Sequence, residues 1–521
     1  MGAALRGPES PARAMNPDQA TQRAAGILLH ITSLPGPHGV GDFGPDAYRF
    51  VDWLASAGQT LWQWLPITPV GPGDSPYQSP SAFAGSPLMV ALEPLVERGW
   101  LAPPTLPEGG FSTERVDFSQ VIPWRDSQLR AAAAGFAAHG SAQDRAAFAN
   151  WCAREAAWLE DYALFMALFN VHGMTPWWEW GRPLRQRDPR AIAAARRKHA
   201  GEVDYWRFVQ WCWDEQCMAL RRYTNGKGIA LISDIPIYVA DNSADVWSRP
   251  DLYFLGDDGL PTVIAGAPPD DLGPEGQRWG NPLYRWDRMA AEDFAWWSAR
   301  VKRVLALANV VRIDHFRGFA SYWEIPASSP TAKSGRWVTG PGRALFDAIE
   351  RSLGKLPIIA EDLGLITSDV VELIEGCGLP RMKVMIFAFG GDGGHEFLPH
   401  NYRPETIVYT STHDTDTVRG WWNHATEAER RFASAYLDCD ADGAHWAMIR
   451  AACNSVSRLA VFPLQDVLGL PSAQRMNLPG TLSKLNWSWR FAWPMIGHEA
   501  TSLLGAIAAT SGRAPMRLLH S

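Results

Sequence analysis

Apolar runs in this chain give way repeatedly to carboxylates. Asp234 follows Leu231 and Ile232, Asp314 with His315 follows "VVRI", Glu361 and Asp362 follow "PIIA", and His413 with Asp414 ends "TIVYTST". Convergent acids support two chemistries. They can ligate a metal, or two of them can flank a glycosidic bond as nucleophile and acid/base, about 5 Å apart in a retaining enzyme. Metal hydrolases usually want several histidines as well, and the first apolar run offers only His30, with no HxH pair.

The carbohydrate chemistry accounts for more of the sequence. It fits the 26 tryptophans and the Tyr- and Trp-rich loops, since indole stacks on flat apolar faces. It also fits Arg312, two positions before Asp314 and on the same face of a strand. A guanidinium beside a carboxylate keeps it ionised, as a nucleophile must be. Glu361 has the opposite requirement, because a general acid must hold its proton, and "PIIAED" supplies apolar neighbours. Asp362 falls on the opposite strand face and is left out of the catalytic set.

The elements that must position these groups are eight apolar runs: 26–31, 60–67, 228–239, 308–316, 356–364, 381–389, 406–414 and 458–466. Continuous rather than alternating apolar runs are typical of parallel strands covered on both faces. Eight of them separated by helical stretches predict an α/β protein, a (β/α)8 TIM barrel with inserted helical and loop-rich subdomains, whose active residues sit at the carboxyl ends of strands. Residues 25–521 are read as this catalytic barrel and residues 1–24 as a disordered tail without a secretory signal. A mainly helical insertion is expected over about 88–226, from Ala-rich stretches such as "SQLRAAAAGFAAHG". A loop-rich active-site insertion is expected over about 240–300, rich in Gly, Pro, Asp and aromatics.

The composition of this 521-residue chain, 46% apolar and 20% charged, is that of a globular protein. A net charge of −7 argues against nucleic-acid and anionic-membrane partners, and no run reaches the roughly 18 apolar residues of a membrane span. The six cysteines are scattered; Cys212 and Cys217 lack zinc spacing. The expectation is reduced thiols in a cytoplasmic protein.

Taken together, "DSPYQSPSAFAGSP" (74–87), "SDIPIYVADNSADVW" (233–247), "VVRIDHFRGF" (310–319), "IIAEDLG" (358–364) and "THDTDT" (412–417) resemble the amylomaltase family, the 4-α-glucanotransferases or disproportionating enzymes of glycoside hydrolase family 77. "GQRWGNPLYRW" (276–286), "QDVLGL" (465–470), "RMNLPGT" (475–481) and "NWSWR" (486–490) extend the resemblance, in order, over about 25–495. The resemblance implies a (β/α)8 barrel without cofactor or metal. It implies cleavage of an α-1,4 bond in a maltooligosaccharide donor and transfer of the glucan to the 4-hydroxyl of glucose or another glucan. By position, Asp314 resembles the nucleophile, Glu361 the acid/base and Asp414 the third carboxylate that grips the distorted sugar. Arg312 and His413 resemble partners that orient Asp314 and the sugar, and Tyr77, with Ser75 beside it, the ring that stacks on that sugar. Asp234, Trp279 and Asn477 resemble further sugar contacts. Second readings stand for several: Asp234 as a brace for Arg312, Trp279 as loop core, Tyr77 as a cap on the barrel, His30 and His315 as scaffold.

Two departures from the family pattern are visible. Asp271 and Leu272 follow "GAPPD" where many relatives carry an aromatic pair, and Thr415 gives "HDTD" where others read "HDND". They bear on acceptor handling and leave the carboxylates intact. The competing expectations are an α-amylase-like hydrolase using the same acids, a divalent-metal hydrolase barrel, and a non-catalytic glucan-binding protein.

Overall fold

The computed structural model describes residues 23–269 and 275–515; Asp271, Leu272 and most of the expected N-terminal tail lie outside these. The strands, in chain order, are β1 (Ala24–Leu28), β2 (Leu61–Gln63), β3 (Ala230–Pro236), β4 (Val263–Ala267), β5 (Gln277–Pro282), β6 (Val310–Asp314), β7 (Ser321–Pro326), β8 (Arg336–Thr339), β9 (Ile358–Ala360), β10 (Arg381–Val384), β11 (Thr406–Tyr409) and β12 (Leu459–Pro463). Eight of them close into a barrel in the order β1-β12-β11-β10-β9-β6-β3-β2, all pairs parallel. Each of the eight apolar runs overlaps one barrel strand. Their buried valines, isoleucines and leucines face packed side chains on both sides, so the runs read as continuous rather than alternating.

Closure is tight where β1 meets β2. A Cβ on Gly26 would come within 2.0 Å of the Leu61 carbonyl oxygen, so the two backbones approach as closely as they do because that position has no side chain. The start of β1 is tied to the far end of the chain. Buried Arg513 donates to the carbonyls of Ala24 (2.9 Å) and Arg458 (2.8 Å), and Arg23 donates to those of Ser455 and Cys453.

Between β2 and β3 the chain builds long helices, among them Phe118–His139, Ala142–Val171 and Ala200–Gly226. Asp117 caps the first through the Ser119 amide, and Ser141 opens the second with a capping box completed by Asp144. Helix Ala200–Gly226 is the joint to the barrel. Trp213 is fully buried against Phe43, Asp214 pairs with Arg303 at 2.6 Å, and the Gln210 amide both accepts from and donates to the Gly85 backbone. Many of the 26 tryptophans are therefore core: Trp62, Trp64, Trp177, Trp211, Trp213, Trp247 and Trp297 are all fully enclosed.

After β3 and β6 the chain forms a second, antiparallel sheet in the order β5-β4-β7-β8, at the end of the barrel where those two strands finish. Among the described residues, no helix is long and apolar enough to cross a membrane, and all six cysteines are free thiols.

Candidate active site

The register of β3 against β6 sets Asp234 beside Arg312 and Pro236 beside Asp314. Arg312, buried, donates to Asp234 at 2.5 Å and reaches Asp314 at 3.0 Å. Burial alone would weaken its charge, but Asp234 and Asp314 hold the guanidinium protonated. Asp234 also accepts from the Tyr77 hydroxyl at 2.9 Å. Asp234 thus braces the arginine, the second of its two readings, and joins it to Tyr77.

One residue past Asp314 the chain leaves the strand through His315, which adopts the left-handed conformation (φ 54°, ψ 46°). Histidine tolerates this region better than most residues, but it is uncommon outside glycine. The turn aims the His315 amide at Glu361 Oε2 (2.7 Å), while the Leu363 amide holds Oε1 at 2.8 Å. Glu361 is only 8% exposed. Burial raises its pKa above the ordinary carboxylate range, and the neighbouring Asp314 raises it further. Burial raises Asp314 too, but there Arg312 is the main opposing influence. Arg312 thus favours the ionised form of Asp314, while burial and the charge of Asp314 favour the protonated form of Glu361.

The third acid lies past β11. Burial would raise Asp414, but His413 at 3.0 Å and the Asn477 amide at 2.6 Å hold it down to about 2. His413, in turn depressed by burial, is lifted above its ordinary value by contact with Asp414. The Tyr77 hydroxyl meets His413 Nε2 at 2.9 Å, and the two rings stack at 5.5 Å with 12° between planes. Asp234, Arg312, Asp314, Tyr77, His413, Asp414 and Asn477 thus form one connected network, joined to Glu361 through the charge of Asp314.

Ser75 and Trp279 sit one step outside it. Ser75 accepts from the Tyr77 amide at 3.2 Å, fixing the turn that presents the tyrosine. Trp279, on β5, meets the His315 ring edge-on at 4.6 Å. Asp362, on the other strand face, pairs with Arg381 at 2.5 Å and accepts from the Met382 amide at 2.8 Å. His30 lines a small cavity that also borders His413, and burial, then His413, lowers its pKa to about 3, so it is a neutral ring.

Two members were not singled out from sequence. Trp487 lies 5.5 Å from the Tyr77 ring and 6.1 Å from that of His413. Arg475 donates to the Asp414 carbonyl and to the Asn477 carbonyl, both at 2.8 Å. Both fall within motifs already noted, "NWSWR" and "RMNLPGT", but nothing local separates them from the other Trp and Arg residues nearby.

Among the described residues one group has the spacing of a metal site, His38, Asp42 and Glu93. The buried guanidinium of Arg125 lies 3.2 Å from Asp42 there, supplying the positive charge that a cation would otherwise bring.

Comparison with known proteins shows which family the chain belongs to. The family model described as 4-alpha-glucanotransferase matches residues 29–495. The chain is 48% identical over 499 residues to the 4-alpha-glucanotransferase of Thermus thermophilus, covering 94% of this chain and 99% of that one. It is 42% identical to the Synechocystis enzyme of the same name, covering 96% and 99%. The amylomaltase of Streptococcus agalactiae, solved with acarbose, superposes with a TM-score of 0.91 at 36% identity, covering 95% of this chain and all of that one.

Proposed function

The chain belongs to the 4-alpha-glucanotransferase family, glycoside hydrolase family 77, and on that premise we propose a retaining double displacement in which Asp314 carries the covalent intermediate. The observation that supports it most is the contrast between two neighbouring carboxylates: Asp314 against the charge of Arg312, Glu361 enclosed beside the negative charge of Asp314. Such a pair divides into nucleophile and acid.

In the first step an Asp314 oxygen attacks the anomeric carbon of the donor sugar. The glycosidic C–O bond breaks, and Glu361 gives its proton to the departing 4-hydroxyl oxygen. In the second step ionised Glu361 takes the proton from the 4-hydroxyl of glucose or a maltooligosaccharide. That oxygen attacks the anomeric carbon, and the ester bond to Asp314 breaks. Two inversions retain the α configuration. Asp414, ionised at any neutral pH, supplies the negative charge that favours the oxocarbenium-like transition state. Tyr77 and Trp487 offer aromatic surface to the reacting sugar, and Asp234, His413 and Asn477 fix the groups around it. No cofactor takes part. With six free thiols, the cytoplasm is the compartment that suits the chain.

Incubation with maltotriose tests the reading. Glucose and a ladder of longer glucans with constant total reducing ends is the expected result, since each broken bond is remade. A steady rise in reducing ends would replace transfer with an amylase-like hydrolysis.

A further inference from the structure

Trp337 lies on β8, in the hairpin that the β7–β8 pair forms beyond the nucleophile strand. It is 39% exposed, one of few large aromatic side chains so open among the described residues. One face of its ring is covered, because the Arg317 guanidinium sits over it at 3.9 Å from the centroid. Trp323, directly across the ladder, meets it edge-on at 5.1 Å, and Trp323 is fixed by its Nε1 donating to the Ala332 carbonyl at 2.9 Å. The hairpin closes over Trp323 at Gly335, where any Cβ would lie 2.2 Å from the indole. Trp337 is therefore an aromatic plane braced beneath and at its edge, and exposed to solvent.

Its support leads to Glu361. Arg317 is buried, donates to the Leu365 carbonyl, and reaches Ser321 Oγ at 3.1 Å. The two amides that hold the Glu361 carboxylate belong to His315 and Leu363, each two residues before one partner of that Arg317–Leu365 contact. Leu365, 61% exposed, lies four residues past Glu361, at most about 14 Å of extended chain. Gly364, with φ +87°, turns the chain outward to reach it. An open indole, through Arg317, and an open leucine are thus each tied to a segment whose backbone amide, two residues earlier, holds the Glu361 carboxylate.

We propose that Trp337, braced by Arg317 and flanked by Leu365, is an outlying subsite for α-1,4-glucan on the leaving-group and acceptor side of the cleaved bond. The proposal rests on Glu361 being the acid/base, which fixes which side this is. A glucosyl ring stacks its apolar face on an indole, and a rigid platform costs little ordering entropy on binding. A glucose acceptor would be too short to reach it, whereas a maltoheptaose acceptor would span it.

The test is transfer from one fixed donor to glucose and to maltoheptaose, with Trp337→Ala and Trp337→Phe compared with the unaltered chain. The expected result is a KM for maltoheptaose about tenfold higher in Trp337→Ala, a smaller change for glucose, and substantial recovery in Trp337→Phe. Equal losses for both acceptors, or no recovery in Trp337→Phe, would assign Trp337 a purely structural role and overturn the proposal. Maltoheptaose binding, followed by calorimetry in Glu361→Gln with and without Trp337→Ala, separates this from the function reading. Weaker binding in the double variant supports the subsite even if the enzyme proves to hydrolyse. Unchanged binding overturns the subsite and leaves the transferase reading intact.

Discussion

Asp314 and Glu361 differ less in chemistry than in what surrounds them. Both are pushed up by burial, but Arg312 lies 3.0 Å from Asp314, while among the described residues no cation pairs with Glu361. Asp314 must be ionised to attack, so donor kcat/KM falls as pH drops below its pKa, which lies above the ordinary carboxylate value of about 4. Glu361 must be protonated to assist departure, so the rate falls again as pH rises through its own, higher pKa. The expected profile of donor kcat/KM is a bell. An α-maltosyl fluoride donor, whose leaving group needs no proton, removes the alkaline limb and keeps the acid one. A profile in which the fluoride retains the alkaline limb would take the acid role from Glu361.

At the scale of an element, the loop from β11 to its following helix carries both His413 and Asp414, and one side chain clamps its two ends. Asp466, fully buried just past β12, accepts from Thr410 Oγ1 and Ser411 Oγ at 2.6 Å each and from the Val418 amide at 2.8 Å. Burial raises its carboxyl to about 6, against the pull of those donors. Asp466→Ala strands three buried donors, at a cost of about 3 kcal/mol or more, and frees the loop. The expected outcome is a lower Tm with kcat reduced about tenfold or more, and Asp466→Asn, which keeps one acceptor oxygen, falls between. A kcat unchanged in Asp466→Ala would show that the loop holds its shape without the clamp. The motif "QDVLGL" was visible in the sequence, but its partner segment lies roughly fifty residues upstream, and only closure of β11 against β12 brings them together.

Across the whole molecule, the distribution of tryptophan shows how composition misleads. Many of the indoles are core in the barrel and the helical insertion, while Trp487 and Trp279 lie against Tyr77 and His315. Charge is arranged in a similar way: in the one metal-like cluster among the described residues Asp42 is already paired with Arg125, and within the site Arg312 pairs with Asp234 and Asp314 and His413 with Asp414. Activity is therefore expected to survive dialysis against a chelator unchanged. Loss of activity restored by a divalent ion would favour the metal-hydrolase alternative.

The sequence by itself determined the barrel and which carboxylates stand at its strand ends. Both are local signals: continuous apolar runs follow from strands covered on two faces, and the acids at Asp234, Asp314, Glu361 and Asp414 lie where four of those runs give way to polar residues. Strand period alone placed Arg312 with Asp314 and set Asp362 apart. Tertiary structure decided the rest. Asp234 meets Arg312 because of the β3–β6 register, Glu361 is gripped because His315 turns left-handed, and Trp487 lies tilted against Tyr77 at 5.5 Å across about four hundred residues of chain. Contacts between segments so far apart depend on the register in which neighbouring strands pair, and no local pattern of residues encodes that register.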